Sequence, residues 1–455
     1  MLARISGLVL LSMLPFAALG ADGVHEFVLD NGLKLVVKED HRAPVVVSQV
    51  WYKVGSSYEY SGITGVSHVL EHMMFKGTET LAPGEFSRII AAEGGEENAF
   101  TGRDYTAYFQ SLQKDRLETS FRLEADRMRN LTLPAEEFAK EVQVVMEERR
   151  LRTEDNPQAL TYERFNAAAY LASPYRHPVI GWMDDLQHME VDDLRSWYRL
   201  WYAPNNATVV VAGDVDPQVV LALAKEHFGP LKPEDVNGPK PRSEPPQLGE
   251  HRVTVHAPAQ LPYVIMGYKV PVVGEADLEW EPYALEVLAG ILDGGNSARL
   301  SRELVRGERV AASAGAGYGI YSRLSSLLVL DGTPATGHTV QELEGALRAQ
   351  IERLQEEPVD EQELARVKAQ VVAQDVYQRD SVFYQAMRLG TLETIGLDWR
   401  LVDEYVPRVR AVTAEQVQAV ARKYLQDHRI TVAVLEPVPA NAVATQKKGD
   451  AKHGG

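Results

Sequence analysis

"GVSHVLEHMMFKGT", Gly65 to Thr78, sets two histidines and a glutamate within five residues of an otherwise apolar run. Val66, Val69, Leu70, Met73 and Met74 recur at the spacing of a helix with a buried face. On that helix His68 and His72 stand at i and i+4, so both imidazoles reach one point, and Glu71 lies beside the same face. Ionisable side chains rarely enter apolar surroundings unless they are paired or hold a metal. A catalytic zinc takes three protein ligands and leaves a position for water. Two imidazoles therefore need one further partner, and Glu71 suits the general base that deprotonates the water. The order His-x-x-Glu-His inverts His-Glu-x-x-His and is one of the zinc-protease signatures.

A third ligand has to come from elsewhere, and "FAKEVQVVMEERRLRTEDNP", residues 138–157, offers carboxylates on a helical pattern. Glu141 and Glu148 are two turns apart on one face, with Glu147 about 100° round the helix. Helical geometry alone leaves Glu147 and Glu148 as alternatives.

The chain of 455 residues is 45% hydrophobic, enough for more than one core. A formal net charge of −17 argues against nucleic acid as a partner. Residues 1–20, with Arg4 ahead of a short apolar run and Ala18-Leu19-Gly20 behind it, read as a secretory signal peptide. Beyond it no segment is long and apolar enough for stable membrane insertion, and the chain has no cysteine for a disulfide or a lipid anchor. These features predict an exported, periplasmic protein of a Gram-negative bacterium.

"HEFVLDNGLKLVVKED" reads as a hairpin about Asn31-Gly32, and "PVVVSQVWYKVG" as a mostly buried strand. "NAFTGRDYTAYFQSL" gives further strands, and a long helical region is expected from about Gln113 to Thr153. "ATVVVAGDVD" leads into a helix capped by Asp216 with Pro217 at its first position. Residues 229–250 hold six of the 24 prolines and no aromatic residue, the composition of a semi-rigid linker. Beyond it the order of elements repeats: "LPYVIMGYKVP" parallels the buried strand, "PYALEVLAGILDGG" the motif helix, and "TAEQVQAVARKYLQDHRITVAVLEP" the later helix and strand. This predicts an α+β chain of two homologous domains, 21–228 and 251–437, from an internal duplication. Each would be a mostly antiparallel sheet packed with helices, only the first would carry the histidine motif, and residues 438–455 would form a disordered tail.

Together, "GVSHVLEHMMFKGT" and, 76 residues past His72, Glu148 within "KEVQVVMEERRLRTEDNP" resemble the M16 metallopeptidases, the pitrilysin, insulinase and mitochondrial processing peptidase family. "NAFTGRDYTAYF", "WYAPNNATVVVAGD" and "GGNSARLSRELV" resemble family segments in the family's order, so the likeness covers nearly all of the chain past residue 20. It implies one zinc held by His68, His72 and Glu148, with Glu71 as base and Glu141 orienting the site from behind. It also implies that Asn98, Ala99 and Phe100 lie on an edge strand where a peptide substrate is added as a further strand. Family members of this size are half of a clam-shaped chamber, which implies a second subunit. Some members are non-catalytic assembly subunits; here every residue of the zinc set is present.

One departure stands out. Active relatives carry an arginine and a tyrosine in the second domain, seven apart, that hold the substrate. In "LSRELVRGERVAASAGAGYG" those positions are Val305 and Ala312, while Arg302, Arg306 and Tyr318 lie near but off the spacing. The resemblance then implies a heterodimer with a related subunit that lacks the zinc motif and supplies the pair, or otherwise a homodimer. Oxyanion-type donors contribute about 3 kcal/mol each, so a site without them needs help.

Overall fold

A computed structural model describes residues 23–240 and 242–439. The signal segment 1–20 and all but the first two residues of the 438–455 tail lie outside the described residues.

The first half runs β1 (Val24–Val28), β2 (Lys34–Glu39), β3 (Val45–Tyr52), α1 (Val66–Met73), α2 (Glu85–Ala92), β4 (Glu96–Thr101), β5 (Thr106–Gln113), α3 (Leu117–Arg129) and α4 (Ala135–Arg149). It continues with α5 (Pro157–Ala169), α6 (Met183–His188), α7 (Val191–Trp201), β6 (Ala207–Gly213) and α8 (Pro217–His227). The second half runs β7 (His251–Pro258), β8 (Tyr263–Val270), α9 (Glu281–Asp293), β9 (Ala311–Gly317), β10 (Ser326–Pro334) and α10 (Val340–Glu356). It ends with α11 (Glu361–Gln378), α12 (Val382–Thr394), α13 (Leu401–Ala411), α14 (Ala414–Tyr424) and β11 (Ile430–Val438). Between the halves, the described residues of 229–250 form no helix or strand.

The sheets have orders β1-β2-β6-β3-β5-β4 and β7-β11-β8-β10-β9. Remove β1 and the two coincide strand for strand, each with one parallel pairing, β2 with β6 and β7 with β11. The duplication inferred from element order is therefore a duplication of topology. The β1–β2 turn has Gly32 at φ 85°, as its Asn-Gly sequence requires. Asp216 caps α8 by accepting from the Gln218 and Val219 amides, with Pro217 at the first helical position. Two boundaries differ from expectation. The helical region after Gln113 breaks at Asn130–Pro134 into α3 and α4: α3 ends at Arg129, Leu133 takes a φ of 46°, and Pro134 stands at the cap of α4. Val438, assigned to the tail, pairs with Pro258 in the last strand.

β3 is apolar on both faces, and the packing explains why. Val46, Val50 and Tyr52 face a core shared with α1, α3 and α7. Val47 and Trp51 face the other way, where Ala386 and Leu389 of α12 and the following Trp399 cover them. The second sheet mirrors this: its outer face, including Tyr263, Ile265 and Leu435, is covered by Phe165 and Ala169 of α5 and by Tyr170 and Tyr175. Each half lends a helix to the other's sheet.

Contact across both seams is close. A Cβ at Gly390 of α12 would fall 2.2 Å from the Trp51 indole, and one at Gly267 of β8 would fall 2.8 Å from the Phe165 ring. Gly390→Ala should therefore lower folding stability, followed through the melting temperature, by about 1–3 kcal/mol, the cost of an overpacked core. Gly345→Ala in α10, where nothing lies within 4 Å, should raise it by about 1 kcal/mol, the ordinary helix-propensity gain. Equal melting shifts for the two variants, read by calorimetry, would contradict the seam.

Candidate metal and peptide site

α1 begins at Gly65, whose φ of 90° suits glycine and whose missing side chain admits the Ile180 carbonyl, 2.7 Å from where a Cβ would sit. No side chain of the cap residue serves the first turn. Instead the buried Glu59 accepts from the Gly65 and Ser67 amides at 2.7 and 2.9 Å, an anion at the positive end of the helix. Burial nevertheless pushes the Glu59 carboxyl up to about 7. Val66, Val69, Leu70 and Met73 are buried, which aims the remaining face, with His68, Glu71 and His72, at a cleft.

Glu148 arrives on the last turn of α4, just before a π-helical turn at Arg150–Glu154. Its neighbour Arg149 is only 3% exposed and fixes the helix end, donating to Glu163 of α5 at 2.7 Å and to the Gly181 carbonyl at 2.8 Å. Glu148 then stands with Oε1 3.9 Å from His68 Nε2 and Oε2 3.5 Å from His72 Nε2. Glu147 points to solvent and pairs with Arg150, so of the two carboxylates it is Glu148 that approaches the histidines.

The donor set fits a tetrahedral zinc site. Nitrogen and oxygen ligands at about 2.1 Å from a tetrahedral ion are about 3.4 Å from one another. One oxygen and two nitrogens here lie within 4.8 Å of one another. His72 Nδ1 donates to Glu141 Oε2 at 3.1 Å, which leaves Nε2 with its lone pair toward Glu148. Lys76 holds the other Glu141 oxygen at 2.7 Å. His68 Nδ1 is buried without a hydrogen-bond partner, and burial, with His72 and Arg152 nearby, pushes this imidazole down to about 3. It is neutral at physiological pH, as a ligand must be. Burial raises the Glu71 carboxyl above its ordinary value, opposed by a hydrogen bond from the Thr101 hydroxyl to Oε2.

These groups line a cleft of about 670 Å³ together with β4, whose one neighbour in the sheet is β5. Asn98 and Ala99 are on this open edge, and Asn98 Oδ1 accepts the Ala99 amide at 2.8 Å. Phe100 reaches the cleft rim, but its ring packs edge-on to Trp51 at 5.4 Å on the sheet face that α12 covers. Much of its role is packing.

Among the described residues, those lining the cleft run from His68 to Ile180. Val305 packs on the second core and Ala312 is exposed on β9. Arg302 pairs with Glu303, Arg306 bonds the Asn296 and Ser301 carbonyls, and Tyr318 donates to the Pro271 carbonyl at 2.6 Å. All three are tied within their own domain. Sequence reading missed Thr101 and Glu59 as partners of the motif, for which only tertiary contact gives a signal. It also missed Lys76 and Arg152, each four residues beyond a site residue, at a spacing the helical period does signal.

Residues 34–181 match the family described as Insulinase (Peptidase family M16), and residues 188–371 match Peptidase M16 inactive domain. Zinc protease PqqE of Helicobacter pylori is 34% identical over 91% of this chain and 93% of its own. An uncharacterised zinc protease of Bacillus subtilis, YmxG, is 26% identical over 91% of this chain and 98% of its own. A crystal structure of a protease from Helicobacter pylori superposes with a TM-score of 0.87 at 32% identity, covering 91% of this chain and all, 100%, of that one. The periplasmic protease PqqL of Escherichia coli shares the fold at 18% identity and a TM-score of 0.77; this chain covers 50% of it. The chain belongs to peptidase family M16. Its named relatives are zinc proteases, so metallopeptidase chemistry is the class its site is to be read against.

Removing the carboxylate behind His72 should weaken metal binding without removing a ligand. Glu141→Ala is expected to lower zinc affinity by about 10–100-fold, measured by competition with a chromophoric chelator. An unchanged affinity would show that Glu141 does not orient His72.

Proposed function

We propose that this chain is a zinc-dependent endopeptidase that hydrolyses unstructured peptides. The approach of Glu148 to both His68 and His72 Nε2 atoms, with Glu71 on the same helix face, carries the reading. His68, His72 and Glu148 would hold the ion, one per chain. Zinc bound there supplies Lewis-acid polarisation of the scissile carbonyl and a water of lowered pKa. Thr101 holds one oxygen of Glu71, so the other is oriented to take a proton from the attacking water and pass it to the leaving amine. Main-chain groups of Asn98 and Ala99 would hold the peptide extended once the Asn98 side chain releases the Ala99 amide.

Glu71→Gln keeps the shape and loses the base. It is expected to lower peptide hydrolysis by about 10²–10⁴-fold while zinc content stays at one per chain. Hydrolysis that persists in a zinc-loaded variant would remove Glu71 from the role.

The chain is further proposed to act in the periplasm as the catalytic subunit of a two-subunit, clam-shaped assembly. Supporting this, among the described residues none past Ile180 lines the cleft, and Arg302, Arg306 and Tyr318 are occupied elsewhere. The half-length match to a longer chain of the same fold agrees with a unit that functions beside another. A related subunit that lacks the zinc motif and carries the arginine and tyrosine should raise kcat/KM by about 10²-fold or more when mixed in, one oxyanion-type donor being worth that much. Full activity of the isolated monomer, with no gain on mixing, would rule out supply by a partner.

A further inference from the structure

The chain is strongly acidic, with 64 Asp and Glu against 47 Lys and Arg, so arginines have carboxylates in excess to pair with. The arginines of the cleft depart from this. Arg103, in the β4–β5 turn, donates to the neutral Asn166 Oδ1 at 3.2 Å and lies 5.0 Å above the Tyr175 ring. Arg176 donates to the Leu171 carbonyl at 3.2 Å and is exposed. Among the described residues, neither is in an ion pair with a carboxylate. Arg152 is in one, with Glu148 at 2.5 Å, but that carboxylate is the one a metal would claim, and the Arg152 side chain is 74% exposed and free to turn into the cleft.

The acids of the same wall are committed. Glu163 is held by Arg149, Glu71 by Thr101, and Glu148 belongs to the metal set. Burial, with Arg176 beside it, lowers the His177 pKa, and its Nδ1 accepts from the Trp182 indole at 3.4 Å. A molecule of net charge −17 thus presents two guanidiniums without a carboxylate partner among the described residues, Arg103 and Arg176, around the strand edge where a peptide would lie. Guanidinium pairs with carboxylate in a planar, two-bonded geometry, and a cleft lined by one sign of charge concentrates ligands of the other.

We propose that the cleft selects peptide carboxylates, so that Arg103, Arg152 and Arg176 favour substrates bearing acidic side chains, or a free C-terminus, along the segment laid on β4. This rests on the peptide-site reading above and adds the substrate class. The test uses the full chain carrying Glu71→Gln and supplied with zinc, so that binding is read without turnover. Three fluorescent peptides of one sequence are compared by anisotropy: glutamates with an amidated end, glutamines with an amidated end, and glutamines with a free carboxylate end.

The glutamate peptide is expected to bind about tenfold tighter than its glutamine twin, roughly three partly exposed charge pairs. The advantage should shrink as salt rises to about 1 M, where the Debye length is about 3 Å. Arg103→Gln with Arg176→Gln should bring the ratio close to one in a protein whose melting temperature is unchanged. A gain confined to the free-carboxylate peptide assigns the preference to a chain terminus. Equal binding of all three peptides, or a glutamate advantage that survives the substitutions, overturns the proposal. If the advantage holds but the unsubstituted chain hydrolyses no peptide either alone or mixed with the related subunit, the peptidase reading fails and the carboxylate preference stands.

Discussion

The exchange of helices between the halves is the constraint on which the rest depends. A sheet with both faces apolar needs two covers, and neither half supplies both from its own segment. α12 closes the first sheet over Trp51, and α5 closes the second over Tyr263 and Ile265. α5 is also the helix whose Glu163 pins Arg149 and so places Glu148. The second half therefore shapes the metal end of the cleft without lining it: moving α5 on its sheet would move the carboxylate that joins His68 and His72. Polar contacts tie the same seam. Arg323 donates to the buried Asp104 and to Ser57, and Lys34 pairs with Glu393 at 2.7 Å.

What the sequence made legible was local or periodic. His68, Glu71 and His72 are fixed by i, i+3 and i+4 spacing on one short helix, and the strands around them by alternation. The duplicated order was visible because each copy repeats the same switch between periods of two and 3.6. Partnerships across the chain were not visible. Glu148 had to be borrowed from resemblance, because choosing it over Glu147 depends on how α4 is rolled, and that roll is set by Arg149 against α5 and Gly181. The double-sided burial of "PVVVSQVW" was legible as a fact, whereas its cause, a helix more than 300 residues away in sequence, was not. Phe100 illustrates the same limit: alternation puts it on a strand, and only the packing shows that Trp51 shares its face.

The second half shows what the same architecture becomes without a metal set. The order β3, α1, β4, β5, α3, α4, α5 corresponds to β8, α9, β9, β10, α10, α11, α12, so α11 stands where α4 does. Near its end Asp375, buried like a ligand, has an arginine four residues on, as Glu148 has Arg152. There the likeness stops. Asp375 is gripped by Arg379 and by Arg388 of α12, whereas in the first half the charges are reversed and α5 offers Glu163 to Arg149. On α9, the helix equivalent to α1, the buried group is Glu286, pushed up to about 7 by burial and bonded by Tyr405 at 3.2 Å. A carboxylate paired with a guanidinium on each oxygen has its charge compensated within the protein, and burial disfavours the charged form of Glu286. One half has thus settled its buried charge internally, as structural ion pairs do, while in the other His68 keeps a buried nitrogen without a partner and Glu148 is paired only with the exposed Arg152. The pair between the equivalent helices is reversed in sign, Arg149–Glu163 against Asp375–Arg388, so the carboxylate at that junction lies on α5 in the first half and on α11 in the second.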